Sequence, residues 1–290
     1  MGLLEGAIDF HYHAGPALFP RARDYVEVLQ EAAAAGLRAV VVKDHHYPTA
    51  AVATVVSNAS KRPGTRLIGA LVLNNHVGGW NPFAVEAALK LGARVIWMPT
   101  LSAAHHIEAQ AEHHGSFPVA ENVLAPQPLR LTTDGTHLVD EVHTILELIA
   151  AAGAVLATGH LAPHEISLLL QTAREKRVEK IVIDHPDFIV GASPDEIEGY
   201  ARQGAYIEFV SCTVLPASSF YTYRAQHLFD WIRRLGSERV ILGSDLGQAG
   251  NPSLTQGLEQ IGRELIEMGL RRGELDNVLA RNPANLLELT

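Results

Sequence analysis

The chain has 290 residues, 47% of them hydrophobic and 19% charged, with a formal net charge of −9. That balance excludes intrinsic disorder, and the acidic excess excludes a general nucleic-acid binder, which needs a basic footprint. The single cysteine, Cys212, excludes an internal disulfide framework and a cysteine-rich zinc site. No apolar run reaches the roughly 18 residues of a membrane span. Met1-Gly2-Leu3-Leu4-Glu5 lacks the basic and apolar regions of a secretory signal. The expectation is a soluble, cytoplasmic globular protein with no membrane and no nucleic-acid partner.

In chain order, short β-branched runs alternate with longer alanine- and leucine-rich amphipathic stretches. Runs of 4–7 apolar residues closed by polar clusters predict strands over 6–11, 39–43, 66–73, 94–98, 154–158, 180–183, 205–209 and 239–242. Helical patterns lie over 24–35, 49–60, 82–91, 138–152, 163–176, 194–203, 226–235 and 254–268. Asn81-Pro82 and Ser193-Pro194 set a cap residue before a proline at the first helical position. Gly36, Gly92, Gly153, Gly204 and Gly236 sit just past helix ends. Short helix-to-strand connections repeated in this way are the rhythm of parallel βαβ units. Eight of them predict an α/β protein with a (β/α)8 barrel spanning 1–290 as one domain. An open doubly wound sheet fits less well, since histidines follow the first strand where a glycine-rich phosphate turn is usual. The segment 100–136 has no strong periodicity and reads as a long functional loop after the fourth strand.

Fifteen histidines are a high count for this length, and their placement is ordered. In a barrel enzyme the reactive side chains collect at the C-terminal ends of strands. His11 and His13 close the first predicted strand; Lys43, Asp44, His45 and His46 the second; Asn74, Asn75 and His76 the third. His160 follows the fifth, His185 the sixth and Asp245 the eighth. Alternate strand residues face the same way, so His11 and His13 form a pair. Neutral imidazoles with a carboxylate suit a divalent metal such as zinc, with manganese, iron or nickel as other occupants.

The ordered set Asp9-x-His11-x-His13, Ala157-Thr158-Gly159-His160, Ile183-Asp184-His185-Pro186 and Leu242-Gly243-Ser244-Asp245 resembles the amidohydrolase superfamily of metal-dependent barrel enzymes. Gly243-Ser244-Asp245 and the stretch from Arg281 to Leu287 look most like its smaller, decarboxylase-containing branch. The resemblance covers essentially the whole chain. It implies that His11, His13 and Asp245 bind one metal, and that His160 and His185 bind a second metal or the substrate. It also implies a homo-oligomer. The chain departs from the binuclear pattern at its fourth strand, where Val95-Ile96-Trp97-Met98 offers neither the lysine nor the glutamate that bridges two ions in that family. Lys43, on the face shared by Val41 and His45, is a candidate replacement as a carbamate bridge; the alternatives are a structural ion pair with Asp9 or Asp44, or a lysine directed at an acidic substrate. An unpaired lysine inside a barrel is costly. His45 is an alternative ligand, and Asp44-His45 resembles the polymerase-and-histidinol-phosphatase type of phosphoesterase, whose further histidine after the last aspartate is absent here.

His45, Asn74 and His105 are candidate substrate contacts. His105-His106 and His113-His114 fall in the long loop and are candidates for substrate or metal contact. Glu208, inside the seventh strand, needs a partner such as Lys43 or an arginine. Cys212 reads as a small buried residue, Trp97 as core, and Asp134-Gly135 as a turn. Together these residues predict a metal-dependent hydrolase of a small-molecule amide, cyclic amide, lactone or similar carbonyl. A bound ion would lower the pKa of water, Asp245 would carry the proton, and His185 with His160 would polarise the substrate. The alternatives are metal-dependent decarboxylation of a small unsaturated or aromatic acid, phosphoester cleavage, or a barrel that binds metal or ligand without turnover.

Overall fold

The computed structural model describes residues 2–60, 64–112 and 123–289. Its strands are β1 (Ile8–Tyr12), β2 (Ala39–Val42), β3 (Arg66–Val72), β4 (Ala93–Trp97), β5 (Val155–Ala157), β6 (Ile181–Asp184), β7 (Tyr206–Val210) and β8 (Val240–Gly243). They form one eight-stranded parallel sheet in the order β1-β2-β3-β4-β5-β6-β7-β8, the (β/α)8 barrel that the alternation predicts. Every residue of β1, β2, β5, β6 and β8 is buried. Burial on both faces explains why these strands read as near-continuous apolar runs.

The helices are α1 (Tyr25–Ala34), α2 (Ala50–Ala59), α3 (Pro82–Lys90), α4 (Ala104–Glu112), α5 (Asp140–Ala152), α6 (Pro163–Glu175), α7 (Pro194–Arg202), α8 (Ala225–Leu235), α9 (Leu254–Glu267), α10 (Arg272–Asp276) and α11 (Asn282–Leu287). Their starts are fixed locally. Asp24 and Glu27 form a reciprocal capping box on α1, as do Ser193 and Glu196 on α7 and Ser253 and Gln256 on α9. On α5, Val142, Ile145, Leu146 and Ile149 make the buried stripe expected of an amphipathic helix. None of the helices among the described residues is long and apolar enough to cross a membrane.

Two compact units make up the chain. The first comprises Met1–Lys43, Val52–Gly69 and Glu208–Thr290, and the second Asp44–Ala51 and Ala70–Ile207. In the first, β1 pairs with β2, and β2 with β3; beyond β8, Leu246 bridges in parallel to Tyr12 at the end of β1. In the second, β4 pairs with β5, and β5 with β6.

The segment 100–136 is not irregular throughout, because α4 occupies part of it. Its buried side is made by Ala104 and His106, not by large aliphatic residues, so no apolar period marks it. The chain before α4 is anchored by Leu129, whose N–H donates to Ser102 (2.7 Å) and whose carbonyl accepts from Ala104 (2.9 Å). His113 and His114 lie outside the described residues. At the C-terminus, α10 and α11 follow the last predicted helix, joined by a π-helical turn over Asn277–Arg281.

Candidate metal centre

In the first unit, β1, β2, β7 and β8 deliver five polar side chains to one place. His13 Nε2 lies 3.0 Å and His11 Nε2 3.3 Å from Asp245 Oδ1. His11, His13 and Asp245 each offer a ligand atom within 4.8 Å of the others. Lys43 Nζ is 3.0 Å from His11 Nε2, and Glu208 Oε2 is 3.2 Å from His11 Nδ1. Lys43 and Glu208 are fully buried, and Asp245 is the most open of the group, with 14% of its side chain exposed. The lysine meets His11, a contact the sequence did not suggest. Glu208 likewise has His11 as a partner.

The hydrogen bonds fix the protons. His13 Nδ1 is 3.0 Å from the Lys43 carbonyl, an oxygen that only accepts, so Nδ1 carries the hydrogen. Burial, reinforced by the Arg21 charge, outweighs Asp245 and pushes the His13 pKa down to about 3, so the ring is neutral and its Nε2 is a bare lone pair. At His11, Glu208 beside Nδ1 accepts from an Nδ1–H and the Lys43 amine beside Nε2 donates to a lone pair there, so both favour the Nδ1–H tautomer, while Asp245 Oδ1 at 3.3 Å from Nε2 pulls the other way. Two imidazole lone pairs and a carboxylate oxygen thus converge. That is the donor set of a zinc-type site with its outer hydrogen bonds in place. A divalent cation fits these residues; Lys43 competes with it for the His11 lone pair.

Asp245 is held from two sides. Its backbone lies at φ 49°, in the left-handed region, where a non-glycine residue costs about 1–3 kcal/mol and persists when its surroundings enforce it. Enforcement comes from the Asp245 N–H donating to the His11 carbonyl (2.7 Å). The neighbouring Ser244 donates from N (2.8 Å) and Oγ (2.5 Å) to Asp9. Burial pushes the Asp9 carboxyl up to about 7 against the lowering effect of those Ser244 bonds. Cys212 is buried as expected, but it also points at the centre: its thiol donates to Asp245 Oδ2 over 3.7 Å. Burial, then the Asp245 charge, holds that thiol well above its usual pKa and so keeps it a donor.

The second unit carries its own imidazole cluster. His160 Nδ1 lies 3.0 Å from His106 Nδ1, and the His160 and His185 ring centroids are 5.1 Å apart. All three are buried. Gly159 creates the turn that presents His160: with φ 59°, a Cβ there would lie 2.5 Å from the carbonyls of Met98 and Pro99. Asp184 accepts from Trp97 Nε1 and Gly159 N, both at 2.6 Å, so it ties the end of β4 and the turn after β5 to the end of β6. His185 follows at φ 23°.

Asn74 links the turns after β2, β3 and β4. Its amide donates to the His45 carbonyl (3.0 Å) and Thr100 Oγ1 (2.8 Å) and accepts from Thr100 N (2.9 Å) and Ser102 N (3.1 Å). It positions His45, whose Nδ1 is 2.9 Å from Thr100 Oγ1. His105 sits on α4 with Nε2 3.0 Å from the Val190 carbonyl. His46 and His76 meet edge-on at 4.5 Å. Asp134 is a turn residue, accepting from Thr136 and His137. The histidine pair and the aspartate were visible as a motif. Asp184 stood within the motif that presents His185, and His106 among the loop histidines, but neither the Trp97 bond nor the His160 contact was readable from the sequence.

The eight-stranded topology defines a (β/α)8 barrel protein, and His11, His13 and Asp245 at its strand ends form a group that could hold a metal ion. Residues 6–208 match a family of unknown function, DUF6282, and the chain belongs to it. No curated protein matches the chain. Among solved structures, an amidohydrolase from Pseudomonas aeruginosa aligns over 99% of this chain and 96% of its own, with TM-score 0.65 at 12% identity. A putative 2-pyrone-4,6-dicarboxylic acid hydrolase from Pseudomonas putida aligns over 98% and 97%, with TM-score 0.56 at 14% identity. The phosphotriesterase homology protein from Escherichia coli aligns over 98% and 99%, with TM-score 0.57 at 15% identity. At these identities the likeness is one of fold.

Proposed function

We propose that the protein is a metal-dependent hydrolase acting on a small-molecule carbonyl compound: an amide, cyclic amide, lactone or close relative. One observation carries the reading. Nε2 of His11, the Nε2 lone pair of neutral His13 and the carboxylate of Asp245 converge at 3.0–3.3 Å, and a cation among them would take all three as ligands. The fold neighbours support it, since they include an amidohydrolase and a putative dicarboxylic acid hydrolase.

His11 Nε2, His13 Nε2 and Asp245 Oδ1 would hold the ion. When bound, it supplies Lewis acidity and water activated near neutral pH. Asp245 presents Oδ1 to the imidazoles and Oδ2 to the Cys212 thiol. As the most open of the three ligand residues, it is the group that takes a proton from water and returns it to the leaving atom. His160 and His185, buried in the second unit, offer N–H donors or lone pairs for a substrate carbonyl or a second ion. Lys43 serves as an ammonium beside His11 or, carboxylated, as an anionic bridge. The same reading takes zinc as the ion, the cytoplasm as the location and a homo-oligomer as the assembly.

The test is a panel of lactones, cyclic amides and simple amides assayed with the zinc-loaded chain and with Asp245→Asn. Turnover should fall by about 10²–10⁴ in the variant while it still binds zinc. Carbon dioxide release from unsaturated acids in place of hydrolysis would redirect the assignment, and equal turnover in Asp245→Asn would refute the role of Asp245.

A further inference from the structure

We propose that Glu208 is the positioning residue of the centre: from the middle of β7 it holds the Nδ1–H of His11 and thereby aims the His11 Nε2 lone pair at the ion. The inference rests on the metal reading above and assigns a task to a residue which that reading leaves idle.

A carboxylate in the interior of a strand is expensive to bury, and Glu208 is completely buried. Its Oε2 lies 3.2 Å from His11 Nδ1. The contact spans two strands far apart in the chain, so sequence neighbourhood does not produce it. The fold also makes room for it. A Cβ on Gly243 would stand 2.5 Å from Glu208 Oε1 and 3.0 Å from His11 Cβ, so the glycine of Leu242-Gly243-Ser244-Asp245 clears the space in which the carboxylate and the ring meet. His13 has the corresponding support from a backbone oxygen, the Lys43 carbonyl. The two ligands therefore differ: His13 leans on a neutral acceptor and His11 on a carboxylate. A carboxylate behind an imidazole fixes its tautomer and raises its basicity, and loss of such a partner costs typically 10–100-fold in metal affinity.

Lys43 also demands the Nδ1–H tautomer, through Nε2, so the two effects must be separated. A Lys43→Met background removes the ammonium. In that metal-free chain, nitrogen-15 NMR of the His11 ring should place the proton on Nδ1, unchanged when Glu208→Gln is added and moved toward Nε2 by Glu208→Leu. With Lys43 intact, competition against a chromophoric chelator should show zinc bound 10–100-fold more weakly by Glu208→Leu. Glu208→Gln, which keeps an acceptor and the shape of the side chain, should lose less; it also serves as the folded control if the leucine variant fails to fold. Zinc affinity equal to wild type in both Glu208 variants, or a His11 proton on Nε2 in the Lys43→Met chain, overturns the proposal. A wild-type chain that takes up no zinc sinks the metal reading instead, and the NMR arm still decides whether Glu208 governs His11.

Discussion

Lys43 and an incoming cation compete for one lone pair, that of His11 Nε2, at 3.0 Å from the amine. Replacing Lys43 with methionine removes the competitor while keeping the length of the chain. Zinc affinity, measured by chelator competition, should then rise several-fold at unchanged stoichiometry. A fall in affinity together with a lower zinc content per chain would instead identify Lys43 as a carboxylated bridge. At this scale the sequence was partly legible. His11-x-His13 announced itself because a strand repeats every two residues, and Asp245 because it ends the last strand. Glu208 was conspicuous as a carboxylate in an apolar strand, but its partner was not readable, since nothing local ties residue 208 to residue 11.

The element that presents His160 is the turn after β5. Met98 and Pro99 carbonyls line the space where a Gly159 side chain would go, and φ is 59°. Gly159→Ala therefore meets both a backbone clash and a conformation that alanine disfavours, and should lower stability by about 1–3 kcal/mol, read as a shift in the urea midpoint with unchanged m-value. A midpoint equal to that of wild type would show that the turn relaxes freely. Most elements were legible, because β-branched runs, capping boxes and post-helical glycines act within a few residues of one another. One exception, α4, packs through Ala104 and His106. A helix whose buried face is a histidine has no hydrophobic period to betray it.

For the whole molecule, an ion that binds the folded chain and not the unfolded one stabilises it by mass action, by about 2.7 kcal/mol at a hundredfold excess over the dissociation constant. Zinc should accordingly raise the melting temperature by several degrees. A chelator should reverse the shift, and His13→Asn should abolish it; a zinc-induced shift that survives that substitution would place the ion elsewhere. The sequence by itself determined the barrel class and which strand ends carry imidazoles and acids, because secondary-structure period and turn chemistry are local properties of the chain. Only the tertiary structure decided that Glu208 stands behind His11, that Lys43 faces Nε2 and that Cys212 donates to Asp245. Those pairings depend on the register and packing of strands up to two hundred residues apart, and the protons on the ring nitrogens follow from them.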